Sequence, residues 1–143
     1  TNLRQLHVAS HGTTRHGLGF VEKLTRLYQL DLYEELASNE GLAHVGKLTN
    51  LKILGLFVGP ADDAGLAALR PLTNLEELTI GGLGKVTDGS VEHLSGLKSL
   101  KQLKVNGTKM TEAGLKRLAE ALRRTADGWG VVLSTQFGRF RTR

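Results

Sequence analysis

Aliphatic residues recur along this chain at a fixed beat. Leu3, Leu27, Leu51, Leu75 and Leu100 each open a similar segment, at spacings of 24, 24, 24 and 25 residues. Each is followed three and five positions later by two more apolar residues: Leu6/Val8, Leu30/Leu32, Leu54/Leu56, Leu78/Ile80 and Leu103/Val105. The last two alternate with polar neighbours, the pattern of a short strand with one buried face. About fifteen residues after each opening leucine a second signal appears, as Gly17-Leu18, Gly41-Leu42, Asp63-Ala64-Gly65-Leu66, Thr87-Asp88-Gly89-Ser90-Val91 and Thr111-Glu112-Ala113-Gly114-Leu115. A Thr or Asp there caps a short helix, and the leucines behind it fall at helical spacing. The pattern therefore predicts five units of strand, turn, short helix and return turn. No unit can bury its apolar side alone, so the five must stack.

The L-x-x-L-x-L strands and the T-D-x-G-L segments resemble the leucine-rich-repeat family, from Leu3 to about Leu122. The 24-residue length is similar to long bacterial arrays and, without their cysteines, to the arrays of F-box proteins. The resemblance implies an α/β solenoid, a short curved array with parallel strands on the concave face and short helices on the convex face. We expect residues 1–122 to form the repeat domain and residues 123–143 a C-terminal capping turn and strand with a basic tail.

Some positions depart from the pattern. The ninth repeat position, usually Asn or Cys in the family, carries His11, Glu35, Gly59, Leu83 and Thr108, so no regular asparagine ladder is expected there. The fourth repeat has one extra residue in Gly81-Gly82-Leu83-Gly84, which predicts a bulge or a looser turn. The sequence opens inside a repeat junction without a polar cap, which reads as part of a longer array. At the other end, Leu115–Arg124 predicts a longer helix, Asp127-Gly128-Trp129-Gly130 a turn and Val131-Val132-Leu133 a final edge strand, with Trp129 over the last core.

Composition narrows the function classes. The net charge is +5, but residues 1–122 hold 14 Lys/Arg against 13 Asp/Glu. The basic excess belongs to the tail, which carries Arg123, Arg124, Arg139, Arg141 and Arg143 against Asp127. A basic track along the repeats is therefore absent, and nucleic-acid binding is disfavoured; it rests on the tail alone, where Phe137 and Phe140 interleave with arginines. The lack of cysteine excludes disulfides and thiolate chemistry. With no basic start followed by an apolar stretch, it favours a cytoplasmic setting. No apolar run is long enough for a membrane helix.

The resemblance places the x positions of each strand, and the residue after it, on the concave face. Adjacent strands lie about 4.8 Å apart, so Tyr33 and Phe57 should be neighbours there. Clustered, partly exposed aromatics are typical interface anchors. The expected contact patch is Tyr33 and Phe57 flanked by Asp31, His7 and Glu77, with Lys104 further along; the simpler alternative has Phe57 folding over the rim of its own repeat.

Other chemistries fit less well. His7, His11 and His16 are close in sequence but are spread around one coil, so they do not converge as zinc ligands must. His44 and His93 fall on convex helices and read as solvated. Ser10, His7 and Asp31 supply the residue types of a hydrolytic triad without a nucleophile elbow or oxyanion hole. Gly82-Leu83-Gly84-Lys85 is too short for a phosphate loop. The expectation is a non-catalytic module that needs no cofactor and binds a protein partner through its concave face. The alternatives are a structural spacer or C-terminal cap of a longer array, or the targeting domain of an effector or ligase-like protein.

Overall fold

Leu30, Leu32, Leu54, Leu56, Leu78, Ile80, Leu103 and Val105 are at most 1% exposed, so each strand turns every second side chain into one continuous core. The computed structural model describes residues 2–9, 15–123 and 131–141; of Arg15, His16, Phe140 and Arg141 it describes the backbone alone. The strands are β1 (Gln5–Val8), β2 (Gln29–Tyr33), β3 (Ile53–Phe57), β4 (Glu77–Gly81), β5 (Gln102–Asn106), β6 (Val132–Thr135) and β7 (Gly138–Arg141). They form one open sheet in chain order. Strands β1 to β6 pair in parallel, in the register the leucine spacing predicts: Leu6 beside Leu30, Leu54, Leu78 and Leu103.

The opposite layer is helical. It consists of a 3-10 helix over Arg15–Lys23, α1 (Asn39–Val45), α2 (Asp63–Ala67), α3 (Val91–Leu94) and α4 (Glu112–Leu122). Helices α1 to α3 are short because a 24-residue turn of solenoid leaves room for no more than about two helical turns, whereas α4 runs for 11 residues. The Ser38, Asp62 and Thr111 side chains cap the starts of α1, α2 and α4, and Thr87 caps the 3-10 turn Asp88–Ser90 that leads into α3, each accepting N–H groups of the first turn.

The cap positions also explain the T-D-x-G signature. The residue after each cap reaches forward one repeat. Asp63 accepts the Thr87 N–H at 2.8 Å and hydroxyl bonds from Thr87 and Ser90. Asp88 accepts the Thr111 N–H at 2.8 Å and its hydroxyl at 2.6 Å. Asn39 accepts the Asp62 N–H at 3.0 Å. A β-carbon on Gly65 would lie 2.2 Å from Asn39 Oδ1, and one on Gly114 would lie 1.9 Å from Asp88 Oδ1. Glycine therefore makes room for the preceding repeat's side chain. In the fourth repeat Ser90 takes that place, fully buried, and donates its hydroxyl instead.

A second ladder links the Thr-Asn-Leu junctions. Asn50 donates to the Thr25 carbonyl and Asn74 to the Thr49 carbonyl, each at 2.9 Å. Polar ladders thus exist, but at the helix caps and the repeat junctions.

The extra residue of the fourth repeat is absorbed between β4 and Thr87. Nine positions separate Ile53 from Asp62 and Gln102 from Thr111, but ten separate Glu77 from Thr87. Leu83 and Val86 both point into the core there, fully buried.

The C-terminal segment differs from its expected form. Val131-Val132-Leu133 is not the edge of the sheet, because β7 folds back antiparallel on β6 and covers it. The turn at Gln136-Phe137 is closed by Thr135, whose hydroxyl accepts the Phe137 N–H and donates to the Gly138 carbonyl, both at 3.1 Å. The array of strands is consequently not wholly parallel. The expected Asp127–Gly130 turn and the Trp129 cap lie outside the described residues.

Candidate functional site

The sheet face away from the helices is lined by residues 5, 29, 53, 77, 102 and 132 in one row and 7, 31, 55, 79, 104 and 134 in the next. Tyr33 and Phe57 pair across β2 and β3 at the C-terminal ends of these strands. Their rings are stacked, with centroids 4.8 Å apart and planes at 17°. Tyr33 stays 37% exposed, and Phe57 is half-buried.

Two glycines make that stack possible. A β-carbon on Gly55 would stand 2.5 Å from Phe57 Cε2 and 2.1 Å from Asp31 Oδ1. One on Gly81 would stand 3.3 Å from Phe57 Cδ1. The Phe57 ring therefore lies low over two positions that have no side chain, and Asp31 occupies the space beside it. The sequence signal for this was present in Gly55 and Gly81 as concave-row residues, but only the register puts both beneath one ring.

Asp31 binds His7 Nδ1 at 2.6 Å, with the His7 side chain 57% exposed and Asp31 13%. Gln29 Nε2 stands 3.4 Å from the same carboxylate oxygen. Tyr33, Phe57, Asp31 and His7 are thus one cluster. Glu77 is exposed in the other row, next to Ile53 and Gln102, and does not join it. Lys104 lies on β5, three strands from Tyr33, where it neighbours Ser134. Arg139 pairs with Ser134 and Arg141 with Val132 on β7, so the tail's basic residues extend the sheet at the Lys104 end. The side chain of Arg141 and all of Arg143 lie outside the described residues, as do Arg124, Ser10 and His11.

Two expectations about histidine are corrected. His44 is not simply solvated: its Nδ1 is 2.5 Å from Glu22 Oε1, which also takes Lys47 Nζ at 2.7 Å. Those two partners, Lys47 first, hold the Glu22 carboxyl below its usual range. His93 Nδ1 is buried without a hydrogen-bond partner, although the residue as a whole is half-exposed. On the opposite side of the junctions, Glu76 bridges Lys101 at 2.7 Å and Lys52 at 2.8 Å, and these cations, Lys101 first, lower its pKa. Among the described residues no group of three or more His, Asp or Glu is arranged to hold a metal ion, and no helix is long and apolar enough to cross a membrane.

A one-sheet solenoid with stacked leucine rows and a helical back is a known architecture. An internalin from Listeria monocytogenes superposes at TM-score 0.68 over 95% of this chain, with 20% identity. The fold is that of a leucine-rich-repeat protein. The chain spans 35% of that internalin's length. A plant peptide hormone receptor, RGFR1 in complex with RGF2, matches at TM-score 0.46 and 14% identity over 83% of this chain and 25% of its own. No protein-family model matches the sequence, and no curated protein does. In this leucine-rich-repeat fold the sheet forms the concave face, so the Tyr33–Phe57 stack stands on it.

Proposed function

We propose that the chain is a non-catalytic protein-recognition module that binds a protein partner through its concave face. The observation that carries this reading is the Tyr33–Phe57 stack, partly exposed at the C-terminal ends of β2 and β3. Paired aromatic rings give a large apolar contact with few torsions to freeze, which is the chemistry of interface anchors. Asp31 and His7 add a polar rim on one side of the stack. Glu77 and Lys104 are further contact candidates at greater distance along the same face.

The test is capture of partners from the native host with the wild-type chain and with the Tyr33→Ala/Phe57→Ala variant in parallel. The expected result is loss of the captured protein with the variant, whose circular dichroism and melting transition remain those of a folded array. Equal capture by both proteins would refute the concave-face reading.

A further inference from the structure

The near-balance of charge over residues 1–122 predicted no basic track along the repeats, and the fold corrects that expectation by sorting the charges between two edges. The turns that bring the chain back from helix to strand are residues 22–28, 46–52, 70–76 and 95–101, and they hold seven Lys/Arg against Glu22 and Glu76. Arg4, ahead of β1, is an eighth cation in line with them. The turns from strand to helix, residues 34–40, 58–64, 82–89 and 107–113, hold the reverse: seven carboxylates against Lys85 and Lys109. Strands β1 to β5 are parallel and in register, so all turns of one kind lie on one edge of the solenoid. The five-residue strands keep the two edges about 17 Å apart. That is twice the Debye length of about 8 Å at physiological ionic strength. The carboxylates that balance the sum therefore do not cancel the field at the basic edge.

The basic edge is ordered in two rows. On the sheet side, Arg4, Tyr28, Lys52, Glu76 and Lys101 follow one another, each N–H donating to the preceding repeat's carbonyl at 2.7 to 2.9 Å. The three cations of this row thus recur about every 10 Å, two strand spacings. On the helix side, Lys23, Lys47, Arg70 and Lys98 stand at or after the ends of the helical segments, with Arg26 in the junction between the rows. All eight are exposed. Glu76 is shared between Lys52 and Lys101, and Glu22 takes Lys47, so both clusters leave the edge positive. Arg26 is bound to Asn2 Oδ1 and Lys98 to the Ser95 carbonyl, which are neutral, and Arg4, Lys23 and Arg70 have no carboxylate partner among the described residues. Glu77 belongs to the concave row.

The edge offers charge over an area and little else. Leu48, Leu51, Leu72, Leu75, Leu97 and Leu100 of these turns are at most 3% exposed. Tyr28, their single aromatic residue, is half-buried, and its hydroxyl accepts a bond from Gln5. The apolar centre of a protein interface and the stacking rings of a single-strand track are both missing among the described residues. We infer that this edge docks on an anionic lipid bilayer, whose headgroups likewise present an unpatterned sheet of negative charge. Attraction to such a surface adds up cation by cation and fades within a Debye length, so in-register rows engage many cations at once. The array then stands on its edge. The Tyr33–Phe57 stack lies at the opposite ends of β2 and β3, away from the bilayer, and stays free for a partner.

The experiment is cosedimentation of the full chain with vesicles of phosphatidylcholine alone and of phosphatidylcholine and phosphatidylglycerol in equal parts. The chain should sediment with the mixed vesicles and not with the neutral ones, and rising salt should release it. Each cation removed should weaken partitioning about fivefold. Lys23→Gln/Arg70→Gln/Lys98→Gln should therefore lose about a hundredfold. Its melting temperature should not change, since the three side chains are exposed and none holds a carboxylate. Lys85→Gln/Lys109→Gln on the acidic edge should sediment as wild type does, which separates this edge from an effect of net charge. Tyr33→Ala/Phe57→Ala should also sediment unchanged, so the concave-face reading can fail without this one. Equal binding to neutral vesicles, full binding by the triple variant, or no binding to the mixed vesicles would each overturn the inference. Release from the mixed vesicles by an equal charge of duplex DNA or polyglutamate would overturn it too, assigning the edge to another polyanion.

Discussion

Asp63 accepts the backbone N–H of Thr87 at 2.8 Å across the junction between the third and fourth repeats. The same carboxylate takes hydroxyl bonds from Thr87 and from fully buried Ser90. Removing it leaves three donors unsatisfied, at least one of them without access to water. Asp63→Ala should therefore lower stability by about 2 kcal/mol, read as a shift in the urea midpoint at unchanged slope. Asp88→Ala removes two bonds to exposed Thr111 and should cost about half as much. Equal midpoints for wild type and Asp63→Ala would show that the ladder adds nothing to stacking.

The ladder also sets a pH dependence. Burial alone would raise the Asp63 pKa, but the bonds from Ser90 and Thr87 outweigh it and hold the carboxyl below the ordinary aspartate range. Asp62 is lowered in the same sense, chiefly by Asn39 and then by the Gly65 N–H. A depressed native pKa means that folding favours the ionised form. The stabilisation is complete above the unfolded pKa and is lost as pH falls through the lower native value. Melting temperature should consequently hold near neutrality and fall below about pH 4, where an unfolded carboxylate titrates. Asp63→Asn should melt lower at neutral pH and show a flatter acid limb. Parallel limbs for the two proteins would contradict the assignment.

Steric room for the ladder is separable from the ladder itself. A β-carbon on Gly114 would sit 1.9 Å from Asp88 Oδ1. Gly114→Ala should destabilise by about 2 kcal/mol even though alanine is the better helix former. In an Asp88→Ala background the same change should cost far less, giving a large coupling in a double-mutant cycle. Gly84→Ala is the control, since nothing lies within 4 Å of its missing side chain; it should stay within about 0.5 kcal/mol of wild type.

Position along the array should matter for leucines that are identical in sequence pattern. Leu54 is 1% exposed between two full repeats, whereas Leu6 on β1 is half-buried and Leu3 beside it is 40% exposed. Leu54→Ala should cost about 3 kcal/mol, within the usual range for a filled core, and Leu6→Ala less than half of that. Calorimetry of the two variants distinguishes this from uniform repeats, which would show equal losses.

The legibility of the candidate site follows the same division between spacing and contact. Tyr33 and Phe57 could be placed side by side from the 24-residue offset, because parallel register converts equal repeat positions into neighbours. Their stacking could not, since it depends on Gly55 and Gly81 leaving open floor beneath one ring. The left-handed backbone of Val58 was not legible either: a valine after a strand reads as ordinary, and the conformation emerges only when the turns are stacked on one another. Glu77 and Lys104 were correctly placed on the face, yet the rows and strand distances separate them from the aromatic cluster.

By itself the sequence determined the repeat, its strand register, its buried leucine rows and the capped helix starts. These are local or strictly periodic properties, and periodicity carries distance information in a solenoid. Only the tertiary structure decided how T-D-x-G works, because Asp63 and Asp88 act on residues one repeat away and their glycine partners are defined by absent atoms. It also decided that the expected final strand is followed by β7, which folds back antiparallel and covers its edge. There the 24-residue beat has ended, and pairing is settled by which strand edge remains open.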